Sequence, residues 1–220
     1  MKTLSRIGGA AALLLAAYSL ATIAQVAVLG GPPHSAAEML DLLHRNRLIG
    51  LLRLDLPSFV AMPFYVLMLV GLWAAMKHPL ALLAVIAGFV GLGLILSVPT
   101  PLSMVPLADQ YAAASGEARV ALLNAGDTYL ANDLWHNTRA VIGGFLIETG
   151  AFAASLAMLK TGVFHRSVAW LGLFVHGIDA IHLVLMPVYA GIGGILLMVA
   201  GPFYPVWLAL VGYRLLKPRA

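Results

Sequence analysis

Six long apolar stretches dominate this sequence, and they leave few folds open to it. They run from Ile7 to Leu29, Leu48 to Met76, Leu80 to Val98, Asn132 to Leu159, Val168 to Tyr189 and Ile192 to Leu216. Each is near or above the roughly 20 residues that an α-helix needs to cross a bilayer. Runs that are apolar on every side predict helices, because a transmembrane β-strand would alternate polar and apolar positions. Composition agrees. Hydrophobic residues make up 61% of the 220 and charged residues 10%, where a soluble domain carries about 45–50% and about 25%. This balance excludes a soluble enzyme and a disordered tail, and the absence of cysteine excludes a disulfide scaffold. The expected architecture is all-α: a polytopic transmembrane bundle of six spans, one integral membrane domain over residues 1–220.

Lys2 and Arg6 ahead of the first run imitate a signal peptide. The apolar part of such a peptide lasts about 7–15 residues, and here it continues for 23, so the segment is expected to stay as a span. Two surface helices are expected between the spans. One covers residues 36–46, with capping-box spacing from Ser35 to Glu38 and Leu40, Leu42 and Leu43 set against Glu38, Asp41 and Arg45. The other covers 116–124, ended by Gly126, with Asp127 placed to cap the fourth span.

Charge predicts orientation. With both termini cytoplasmic, the inner side holds Lys2, Arg6, Lys77, Lys160, Arg166, Arg214, Lys217 and Arg219, and none of the nine acids. This is the positive-inside pattern. It also accounts for the net charge of +4 without nucleic acid, since the cations gather at helix ends rather than on one face. The expected location is the cell inner membrane, and the expected partner is the lipid bilayer with its anionic headgroups.

Polar residues inside spans are costly and are functional candidates for that reason. Counting about 1.5 Å per residue from the inner ends sets Glu148 and Asp179 near 18 Å, just past the middle of a roughly 30 Å core. His176 and His182 flank Asp179, and Tyr18, Tyr65 and Tyr204 reach roughly the same layer. These seven form the expected deep pocket. A second polar cluster, Arg53, Asp55, Asp133, His136 and Arg139, gathers near the outer boundary at about 31 Å. Gly201-Pro202 and Pro205 are expected to break the sixth span near the depth of the pocket.

Three functions fit these features. A carboxylate and a histidine in mid-membrane can relay protons or serve small-solute transport or sensing. The same groups can only pack helices, as in a structural or accessory subunit. His176, Asp179, His182 and Glu148 also offer the donor types of a metal-dependent intramembrane enzyme. Against the third, spacing of i, i+3, i+6 swings the two histidines about 60° to either side of Asp179, whereas zinc-binding pairs on one helix sit at i, i+4. No cofactor is expected, and enzymatic activity is the weaker reading.

The halves of the chain admit a 3+3 inverted repeat, with Leu48-Ile49-Gly50-Leu51-Leu52 answering Trp170-Leu171-Gly172-Leu173-Phe174. The run Met158 to Arg166, with its Thr161-Gly162-Val163-Phe164 core leading into Trp170-Leu171-Gly172-Leu173, resembles the joint of a bacterial six-helix membrane family known as domain of unknown function 4386. Asn46-Arg47-Leu48-Ile49-Gly50 through Leu54-Asp55-Leu56 is similar to the start of that family's second span. The resemblance implies six helices and no established activity.

Overall fold

The computed structural model describes residues 1–186 and 188–217; Arg219, one of the expected inner cations, lies outside the described residues. Among the described residues the secondary structure is helical throughout. The spans are α1 (Lys2–Leu29), α4 (Leu56–Met76), α5 (Pro79–Leu96), α8 (Thr138–Thr161), α9 (Arg166–Leu185) and the pair α10 (Ala190–Ala200) and α11 (Tyr204–Leu216). Six segments are thus long and apolar enough to cross a membrane. Their outward faces are apolar too: Val28 is 79% exposed, Met198 71% and Trp170 62%. Such a surface has no place in water and suits lipid. This is a multi-pass membrane protein.

The spans follow one another round a ring. α1 packs on α4, α4 on α5, α5 on α8, α8 on α9 and α9 on α10, and α11 returns to α1. Glycines make the crossings close. A Cβ on Gly143 of α8 would fall 2.6 Å from the Gly91 carbonyl oxygen of α5, and one on Gly212 of α11 would fall 2.9 Å from the Gly9 carbonyl oxygen of α1. Gly8 and Gly71 meet the same way between α1 and α4. Small residues let backbones approach where burial of apolar surface offers no drive between helices. The cyclic order bears on the inverted repeat. A two-fold axis in the membrane plane reverses the direction of travel round a ring, whereas stepping three helices onward preserves it.

Several element boundaries differ from the sequence reading. The second apolar stretch is two helices, α3 (Arg47–Arg53) and α4, with Asp55 in the left-handed region (φ 58°) between them. Pro57 has no N–H to give the Arg53 carbonyl, so one continuous helix is not available there. The fourth span begins at Thr138 rather than Asn132, and its cap is Asn137, whose side chain accepts from the Arg139 N–H at 2.9 Å. Asp127 instead lies inside α7 (Gly116–Leu130), which runs on through Gly126. Gly126 is a contact point and not a stop: a Cβ there would meet that of Ala36 at 2.8 Å. The fifth span stops at Leu185. α6 (Met104–Ala113) was not expected at all.

With α2 (Ala36–Arg45), α6 and α7 build a cap over one end of the ring. The cap has its own small core of Met39, Leu40, Leu43, Leu54, Ala108, Tyr111 and Tyr129. Ser35 caps α2 by accepting from the Glu38 N–H at 3.2 Å, while Glu38 reaches back to the His34 N–H at 2.9 Å. The opposite end, where α1 begins and α11 finishes, carries the cations.

Candidate functional site

Glu148 projects inward from the middle of α8 and is 6% exposed. Its two oxygens are both taken by other spans. His176 of α9 places Nδ1 2.7 Å from Oε2, and Tyr204 at the start of α11 donates its hydroxyl to Oε1 at 2.6 Å. One proton lies between Nδ1 and Oε2, on whichever of the two atoms donates. His176 is fully buried, packed edge-to-face on Trp207 at 4.3 Å and on Tyr204 at 5.3 Å. Tyr65 of α4 lies 6.2 Å from the Tyr204 ring. The centre therefore ties three spans directly and touches a fourth.

Its position follows from local sequence. Gly201 and Pro202 form a 3-10 turn between α10 and α11, since Pro202 and Pro205 cannot donate to the carbonyls of Met198 and Gly201. Tyr204 is the first residue past that turn. Gly172 clears room one turn below His176: a Cβ there would overlap Ser155 Oγ and Trp207 Nε1. Among the described residues, two buried polar atoms of this region have no hydrogen-bond partner, His176 Nε2 and Trp207 Nε1.

Of the other expected members, His182 and Tyr18 pair elsewhere, while Asp179 lies within electrostatic reach of Glu148. His182 is buried but turned to α10, with Nδ1 donating to the Gly193 carbonyl at 2.8 Å. The six-residue separation from His176 explains this, because it points the two rings at different neighbours. Asp179 lies between them, half-buried, with no hydrogen bond among the described residues. Tyr18 is also outside the centre. Its hydroxyl pairs with Ser58 Oγ and lies 3.4 Å from Asp55 Oδ1.

The outer cluster is three separate contacts. Arg53 donates to Glu38 Oε1 and to the Gly31 carbonyl, each at 2.7 Å. Asp55 accepts from Ser58 Oγ at 2.7 Å as well as facing Tyr18. Asp133 binds His136 at 2.8 Å within its own loop. Arg139 is exposed and makes no ion pair among the described residues, so its shared height with Asp55 brings no contact. Outside the spans, the His34 N–H first and then the Arg53 guanidinium hold the Glu38 carboxyl below its ordinary value.

Among the described residues, no three of the His, Asp and Glu side chains gather as a metal's ligands. The weak metal candidates are dispersed by the contacts just given: Glu148 and His176 bind each other, and His182 is committed to a carbonyl. Sequence reasoning missed Trp207, Ser58 and Gln25. Gln25 donates to the Leu52 carbonyl at 2.7 Å and thereby ties α1 to α3. An amide within an apolar run is a readable signal; a tryptophan there is indistinguishable from core. No protein-family model, no curated protein and no solved structure matches this chain.

Proposed function

We propose that this is an inner-membrane protein, both termini cytoplasmic, whose Glu148–His176–Tyr204 centre holds a proton and exchanges it as the protein moves or senses a small solute. One observation carries the reading. The hydroxyl that grips Glu148 belongs to the residue at which the sixth span resumes after its break. A proton on Oε1 would compete with the Tyr204 hydroxyl for that oxygen, so proton occupancy of Glu148 can act on the joint between α10 and α11. Broken helices beside ionisable groups are how membrane carriers couple ions to movement. The proton has two adjacent seats, Oε2 and Nδ1, 2.7 Å apart. The positive-inside distribution supports the orientation.

A protonated imidazole quenches an adjacent indole, so Trp207 reports on His176 at 4.3 Å. In nanodiscs, fluorescence should change with pH, lose that change in Trp207→Phe, and respond differently to pH in Glu148→Gln. A profile that is flat, or identical in wild type and Glu148→Gln, would leave the centre as helix packing alone.

A further inference from the structure

At the end of the ring opposite the cap, α1, α4 and α11 enclose a hollow of about 310 Å³. Lys2, Arg6, Lys77, Arg214 and Lys217 all line it, with Ser5 beside them, and none of the nine acids does. Among the described residues none of these five cations makes an ion pair. We infer that this hollow is a binding site for a phosphate-bearing anion, either a lipid headgroup or free phosphate.

Topology requires cations at this end of the helices; it does not require that they converge. Lys160 and Arg166 lie at the same end, are exposed and stay outside the hollow. The five that converge come from three spans far apart in the chain. Arg214 is aimed by its own backbone contact: Nε donates to the Val163 carbonyl at 2.9 Å, which leaves the two terminal nitrogens of its guanidinium for a ligand. Lys217 is steadied over the Tyr213 ring at 4.3 Å. Lys77 closes α4 in the left-handed region (φ 51°), a place where glycine is the easier residue. The first turn of α1 adds unpaired N–H groups here, while the C-terminal carbonyls of α4 and α11 at the same end offset part of the positive field. Cations that pair with no acid among the described residues suit a phosphate, whose several acceptor oxygens can take hydrogen bonds from more than one of them at once, as a halide cannot. Basic pockets between membrane helices take lipid phosphates in this manner.

The test is native mass spectrometry of the whole chain released from nanodiscs of phosphatidylcholine with or without phosphatidylglycerol, alongside inorganic phosphate added to the phosphatidylcholine sample. Lys77→Asn removes one charge while keeping a residue that tolerates the left-handed backbone; Arg6→Gln is a second variant on a different helix. Arg139→Gln, at the cap end, is the control. The site predicts one retained phosphatidylglycerol per chain, or one retained phosphate, with retention about tenfold weaker in each of the first two variants and unchanged in the control. Retention of phosphatidylglycerol identifies a lipid headgroup, and retention of inorganic phosphate alone identifies the free anion. Equal retention in wild type, Lys77→Asn and Arg6→Gln, or no preference over phosphatidylcholine with no phosphate bound, would overturn the inference.

Discussion

The centre of the ring and the cap above it solve the same problem, keeping polar groups partnered, in opposite ways. In the centre, Glu148, His176 and Tyr204 come from three different spans, and burial removes water as an alternative partner. In the cap, charges pair across short distances in reach of solvent: Arg47 with Asp109 at 2.7 Å, His44 with the same carboxylate at 3.3 Å, and Arg45 with Asp41 along one helix. Solvent can replace any cap partner and no centre partner. The centre therefore specifies how spans dock, and the cap only decorates an arrangement that its apolar core already holds.

The largest effect should come from the centre. His176→Leu leaves a buried carboxylate with Tyr204 alone and should cost about 2–3 kcal/mol, read as lost resistance to unfolding in detergent. Next comes the joint between cap and ring. Arg53→Met strands Glu38 and the Gly31 carbonyl and should cost about 1 kcal/mol. Because the folded Glu38 carboxyl titrates below its unfolded value, its contribution is present above the ordinary carboxylate range and disappears as pH falls through the lower folded value. The protection factors of α2 amides, corrected for the intrinsic exchange rate, should accordingly fall in acid in wild type, and in Glu38→Gln should lose that dependence. Arg47→Ala, in the exposed cap, should leave the unfolding midpoint within experimental scatter. A larger loss for Arg47→Ala than for His176→Leu would reverse the comparison.

The two regions also differ in how far sequence alone reaches them. Hydropathy and length located the spans because a bilayer imposes one scale on every helix. Counting residues brought Glu148, His176 and Tyr204 to one layer, since the rise of a helix is constant. Direction was harder. His176 and His182 share a helix and a depth within two turns, yet one meets α8 and the other α10. Choosing between those neighbours needs the ring order, which no periodicity contains. Tyr18 illustrates the same limit: its height along the unbroken α1 is readable, but that it turns to Ser58 of α4 is not. In the cap, α6 went unseen because Pro101 and Pro106 bracket its start and its apolar face serves a core only seven residues large. A helix stabilised by neighbours rather than by its own pattern has little signal to read.

The closure of the ring by α11 against α1 has a consequence for biosynthesis. The spans leave the ribosome in order, and each of the first five can settle against the one before it. The seam between Gly9 and Gly212 and the grip of Tyr204 on Glu148 both wait for the sixth. Until then α1 displays its glycine face to lipid, and Glu148 and His176 have only each other. A chain stalled before residue 204 would thus be inserted, largely helical and still open along one side, a form that a membrane protease can distinguish from the finished protein.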